Sequence, residues 1–124
     1  MTHTYLRKLQ FAINNSSEFD RMEWSMYHPD KWTIIDYGEE FNEDRYAIMA
    51  GWGGGFVNVA SWKRSSPIRS VVECEEGWIA DTSSGSQYLL HKRKHGVTSQ
   101  TAMLICNNSL VEVENVVELL ERWK

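Results

Sequence analysis

The segment 77–94, GWIADTSSGSQYLLHKRK, constrains the fold more than any other part of the chain, because its pattern predicts a β-hairpin. Residues 78–82 and 87–93 are rich in aromatic and aliphatic side chains that favour strands. Between them, residues 83–86 favour a turn, and Gly85 can adopt a positive φ at low steric cost. Because side chains alternate along a strand, one face of the hairpin should carry Trp78, Ala80, Thr82, Ser86, Tyr88 and Leu90.

Short apolar runs elsewhere predict further strands, which would extend a sheet around this hairpin. Turn-forming residues bound these runs, among them the glycines at 53–55 and Pro67. The predicted strands comprise residues 32–37, 45–52, 56–62, 68–73 and 100–106. Residues 1–14 fit both strand and helix spacing, and we interpret them as a strand.

Two helices are predicted, one near each end of the chain. Residues 18–27 show apolar side chains at helical spacing, and this helix should end before Pro29, because proline disfavours α geometry in the preceding residue. Near the C-terminus, Ser109 and Glu112 have the spacing of a capping box. The amphipathic helix that follows would pack on the sheet through Val113, Val116, Val117, Leu120 and Trp123.

These elements predict one globular α+β domain over residues 1–124. It would contain a mostly antiparallel, curled or barrel-like sheet of about six strands, with an N-terminal helix and a C-terminal amphipathic helix. The composition, 42% hydrophobic and 24% charged, is that of a chain able to form a core. Its six tryptophans favour core filling, with an aromatic recognition surface as the alternative.

Charge and cysteine content disfavour several classes of function. The net charge of −4 opposes binding driven by phosphate neutralisation. Cys74 and Cys106 have no CxxC partner, and His91 and His95 have no third ligand nearby, so we predict no metal site and no cofactor. The chain shows neither a signal-peptide core nor an apolar run long enough for a membrane helix, which predicts a soluble cytoplasmic protein without membrane contact.

Two clusters of charge are the candidate binding residues. Each can present charge to an oppositely charged partner, and each has a structural alternative as a solvated loop or strand end. The acidic cluster comprises Asp36, Glu39, Glu40, Glu43 and Asp44. The basic cluster follows the hairpin and comprises Lys92, Arg93 and Lys94.

The sequence carries no nucleophile or phosphate-binding motif, so it favours a binding protein over an enzyme. The main hypothesis is a small accessory or inhibitor protein, like those of phages and mobile elements, that occludes a protein partner. One alternative is a small-ligand-binding protein or enzyme in which His28, His91 or His95 acts beside a carboxylate. Another is a nucleic-acid-associated module that uses residues 91–95. A homodimer through an exposed strand edge or an apolar face also stays open.

Overall fold

A computed structural model describes residues 26–53 and 61–123. The described residues form seven strands, two 3-10 helices and two α-helices. The strands are β1 (Met26–Tyr27), β2 (Lys31–Asp36), β3 (Tyr46–Trp52), β4 (Ser61–Arg64), β5 (Ile68–Glu73), β6 (Gly77–Thr82) and β7 (Gln87–His91). The 3-10 helices are Glu39–Asp44 and Lys92–Lys94, and the α-helices are α1 (Ser99–Asn107) and α2 (Val116–Glu121).

The predicted hairpin is confirmed and consists of β6, β7 and the turn between them. The two strands pair in antiparallel register, with Trp78 opposite Leu90. In the turn, Gly85 has a φ of 94°, which glycine adopts at low steric cost. Strand β7 is shorter than predicted, because the residues after His91 form a 3-10 turn.

The strands form two sheets, so the prediction of one curled or barrel-like sheet is wrong, whereas the α+β class is confirmed. One sheet has the order β1-β7-β6-β5 and the other the order β2-β3-β4. Neighbouring strands are antiparallel except β1 and β7, which run parallel. Buried side chains from both sheets form one core cluster, so the described strands make two packed layers without closing a barrel.

Trp32 of β2 lies in the core between the two sheets. Its side chain is fully buried, and its ring meets that of Trp78 edge-on with 6.4 Å between centroids. Its indole N–H donates to the carbonyl oxygen of His91 at 2.8 Å, which satisfies the buried donor. The core cluster consists of Trp32, Ile34, Ile48, Ala50, Ile68, Trp78, Ala80, Tyr88, Leu90, Val116 and Leu120.

Residues 100–106 belong to α1, so the strand predicted there is wrong. Thr98 caps the helix through a capping box with Thr101, and Thr101 is buried. The run contains alanine, methionine and leucine, which favour helices, and a short apolar run does not distinguish helix from strand. The start of the helix packs closely on β3. A Cβ atom added at Gly51 would lie only 2.8 Å from the side chain of Thr98.

The C-terminal helix exists but begins later than predicted. The side chain of Asn115 accepts a hydrogen bond from the backbone N–H of Glu118 and caps α2. Ser109, the predicted cap, instead has a φ of 54° just after α1. Residues 111–113 lie along the edge of β2, where backbone hydrogen bonds of 2.8 Å satisfy groups of that strand. Of the predicted apolar stripe, α2 buries Val116 and Leu120.

Several predictions concern residues outside the described ranges. Of the predicted N-terminal helix at 18–27, the structure describes only Met26 and Tyr27, and these form β1. The predicted strand at 1–14 lies wholly outside the described residues, and the strand at 56–62 is described only from residue 61. Among the helices of the described ranges, none has the length and apolarity needed to cross a membrane.

The described tryptophans contribute mainly to the core. Trp32 and Trp78 are buried within it, and Trp52 and Trp123 pack against it half-buried. Trp62 on β4 is the exception, with 43% of its surface exposed. Core filling therefore explains most of these side chains, and Trp62 is the one described tryptophan available to an aromatic recognition surface.

We expect Gly77→Ala to destabilise the protein by about 1–3 kcal/mol, because the added methyl group overpacks a closed site. The new Cβ would overlap the carbonyl oxygen of Leu90 and lie 2.9 Å from the backbone nitrogen of Lys92. Urea denaturation followed by tryptophan fluorescence measures the loss. Gly53→Ala is the matched control, since no heavy atom of the described residues lies within 4 Å of its Cβ position. Equal stability of the two variants would contradict the expectation.

Candidate functional site

The acidic connection between β2 and β3 consists of two short 3-10 turns over Glu39–Asp44, with a kink at Asn42, where φ is 52°; it is here called the acidic helix. None of its residues is buried. Gly38 precedes it with a φ of 111°, a conformation that favours glycine. The N–H of Phe41 donates to the carbonyl of Gly38 at 3.1 Å, and the N–H of Arg45 donates to that of Asn42 at 3.1 Å. The segment is therefore ordered by its own backbone hydrogen bonds while all its side chains stay at the surface.

Two arginines hold the ends of the acidic helix. Asp36, before the acidic helix, and Arg45, directly after it, form a two-point ion pair with N···O distances of 2.7 and 2.9 Å. The hydrogen bonding from Arg45 lowers the pKa of the Asp36 carboxyl below its usual range. At its end, Arg69 of β5 donates to the Asp44 carboxylate at 2.8 Å and to the carbonyl of Glu43 at 2.7 Å. Of the predicted acidic site, Asp36 and Asp44 thus position the helix.

Phe41 is the residue of this segment that the sequence analysis missed. Its side chain is 50% exposed, and its ring meets that of Tyr37 edge-on with 6.1 Å between centroids. The carboxylates of Glu39, Glu40 and Glu43 are exposed and form no ion pair with another described residue. A single aromatic residue inside an acidic run was the available signal, and such a residue on the surface is a candidate anchor for a partner.

The basic cluster lies away from the acidic helix. Lys92, Arg93 and Lys94 are all exposed. Lys92 also pairs with Glu73 at 3.3 Å and lies 5.6 Å from the centroid of the Trp78 ring. Glu73 is four residues along β5 from the Arg69 that contacts the acidic helix, a distance of about 13 Å in a strand. The two predicted charge clusters therefore sit at opposite ends of β5 and do not form one site.

One histidine does lie beside a carboxylate, as the enzyme alternative requires. The hydroxyl of Thr33 donates to Glu112 at 2.7 Å and lies 3.3 Å from Nε2 of His95. Thr33 is fully buried, whereas His95 and Glu112 are exposed. The contacts tie the segments after β7 and α1 to the edge of β2. The partners are 62 and 79 residues from Thr33, so sequence spacing gives no signal for this cluster.

An open groove, here called the acidic groove, runs between the acidic helix and the C-terminal segment. One part has a volume of about 310 Å³ and reaches Glu43 and Trp123, and the other has about 500 Å³ and reaches residues 111–115. Both parts are lined by Tyr46, Leu119 and Arg122, so they are continuous. The carboxylates that line the groove are Asp36, Glu43, Glu112, Glu114 and Glu118.

We expect Asp36→Asn to lower stability at neutral pH and to have progressively less effect in acid. The pKa of Asp36 is depressed in the folded state, so its stabilisation is present above the ordinary value of 3.8 and is lost as the pH falls through the folded value. Unfolding midpoints from neutral pH to about pH 2 should therefore converge for the variant and the unmodified protein. Glu75→Gln, in an exposed turn, is the control. A constant difference at all pH values would contradict this role.

The comparisons with known proteins find no relative. No protein-family model matches the chain, no curated protein matches it, and no solved structure matches it. The function therefore has to be inferred from the geometry of the described residues.

Proposed function

We propose that this protein acts in the cytoplasm as a small accessory or inhibitor protein that occludes a surface of a protein partner. The observation that carries the proposal is the half-exposed ring of Phe41 on the acidic helix. Aromatic side chains surrounded by polar ones often dominate the energy of an interface. Glu39, Glu40 and Glu43 supply such polar surroundings and favour a partner with basic residues.

The contacts that hold the acidic helix in place support this role. The ion pairs of Asp36 with Arg45 and of Asp44 with Arg69 fix its two ends, and Tyr37 contacts the ring of Phe41. A binding element that is ordered before association loses less conformational entropy when the partner arrives. The helix therefore presents an aromatic anchor and three carboxylates in a preset arrangement.

The two alternatives from other classes receive less support. For nucleic acid, the basic cluster is small, Lys92 is already paired with Glu73, and the net charge of −4 opposes approach to phosphate. For an enzyme, His95 and Glu112 meet only through the hydroxyl of Thr33, and His95 does not line the acidic groove. Neither arrangement gives a substrate or a nucleic acid a binding surface comparable to the one that the acidic helix gives a protein partner.

We expect Phe41→Ala to abolish capture of a protein partner from native lysate by the tagged protein. Loss of a half-exposed anchor removes apolar contact at the centre of the interface and costs at least about tenfold in affinity. The ring lies on the surface, so the variant should keep its fold, which circular dichroism and thermal melting check. Mass spectrometry of the eluate reports whether one stoichiometric protein is lost.

Met103→Ala is the control for this experiment. Met103 is also an exposed apolar residue, at 62%, and it lies on α1, which packs against β3 away from the acidic helix. Capture should survive this change. Capture that is unaffected by Phe41→Ala would refute the proposed surface, and recovery that disappears on nuclease treatment would shift the function to nucleic acid.

A further inference from the structure

We infer that the acidic groove binds an extended, arginine-containing segment of the protein partner. The inference rests on the proposed function and adds the chemistry of the partner. It concerns a different surface from the aromatic anchor, because Phe41 does not line the groove, although the neighbouring Asn42 and Glu43 do. A partner seated on the acidic helix would therefore have the groove directly beside it.

The part of the groove beside the acidic helix has a mainly apolar floor. Tyr46, Leu119 and Trp123 are half-buried side chains that pack against the core. The rings of Tyr46 and Trp123 meet edge-on with 5.6 Å between centroids, and the guanidinium of Arg45 lies 4.9 Å from the centroid of Tyr46. A floor of this kind can cover the aliphatic stem of a long basic side chain while the charged head reaches the rim.

The rim of the groove carries an excess of negative charge. Arg45 neutralises Asp36, and Arg122 is the one cation among the described residues of the lining, so three of the five described carboxylates remain in excess. Glu114 and Glu118 are exposed, and neither forms an ion pair with another described residue. Carboxylates on both sides of an apolar floor complement guanidinium groups, which bind carboxylates through two parallel hydrogen bonds.

Size and charge together favour a peptide segment as the occupant. The two continuous parts, of about 310 and 500 Å³, hold several side chains and are open along the surface. Nucleic acid would bring phosphates against unpaired carboxylates. A small polyamine would match the charge, but its ammonium groups cannot bind a carboxylate through two parallel hydrogen bonds as a guanidinium does. An extended segment that alternates arginine with apolar residues matches both features.

The probe is a fluorescein-labelled peptide of about 12 residues in which arginine alternates with leucine, added to the full-length protein. Fluorescence anisotropy measures Kd at about 50 mM and about 200 mM salt. We expect saturable binding that weakens severalfold at the higher salt. Peptides that alternate glutamate with leucine, or arginine with serine, should bind at least about tenfold more weakly, because each lacks one of the two matched features.

The test of the groove is the double variant Glu114→Lys with Glu118→Lys, which should raise Kd at least about tenfold. Glu75→Lys with Glu121→Lys changes the net charge equally at exposed positions that do not line the groove, and it should bind like the unmodified protein. The double variant Glu114→Gln with Glu118→Gln removes the two charges and should give an intermediate Kd. It replaces the lysine double variant if the latter unfolds at a markedly lower temperature than the unmodified protein.

The outcomes separate the inference from the proposed function. Equal Kd values for the groove variant and its control, or equal binding of the leucine and serine peptides, would overturn the inference. Absence of peptide binding with partner capture that still depends on Phe41 would also overturn it, and the proposed function would stand. Peptide binding that depends on Glu114 and Glu118, with no partner captured from lysate, would establish the groove and refute the occlusion role.

Discussion

The fully buried side chain of Trp32 connects the two sheets and the end of the hairpin, which local sequence patterns do not relate to one another. Its ring meets Trp78 of the opposite sheet, and its indole N–H bonds to the carbonyl of His91 at the end of the hairpin. Its own carbonyl accepts the N–H of Gly96 at 2.8 Å, so the chain leaving the hairpin is tied to β2 as well. Loss of this side chain would remove packing worth about 3–5 kcal/mol and would leave the carbonyl of His91 without the hydrogen bond from the indole.

Strand β2 connects Trp32 to the candidate site and fixes the position of the residues at its end. Asp36 is the last residue of this strand, and its backbone N–H is fixed by the carbonyl of Val111. Its carboxylate therefore has a defined position from which to bind Arg45 and to accept the N–H of Gly38. The acidic helix begins immediately afterwards, so its orientation is set by a buried strand and not by its own exposed side chains. The same edge of β2 orders residues 111–113, which form one wall of the acidic groove.

Local sequence patterns predicted the features that depend on residues close together in the sequence. They failed for the features that depend on contacts between distant residues. The hairpin follows from its turn and its alternation, and the acidic cluster follows from composition. The division into two sheets has no local signal, because a strand alternates in the same way whichever sheet it joins. Likewise, Asp44 is visible as a carboxylate, but its neutralisation by Arg69 depends on a residue 25 positions away. The helix at 100–106 was missed because its capping box, at Thr98 and Thr101, uses two threonines and not the usual acidic partner.

The charge and the exposed aromatic residue of the acidic helix are unfavourable for the stability of the protein. Three carboxylates repel one another on a segment with no buried residue, and a phenylalanine within it stays half exposed to water. The two arginines neutralise the carboxylates at its ends, Asp36 and Asp44, and leave Glu39, Glu40 and Glu43 without a described counter-ion. Exposed apolar area and unbalanced like charge are both relieved when a basic, partly apolar surface covers them. Features that are unfavourable for stability tend to occur in proteins at functional sites. The acidic helix combines two such features, an exposed aromatic side chain and unbalanced like charge, in one short segment.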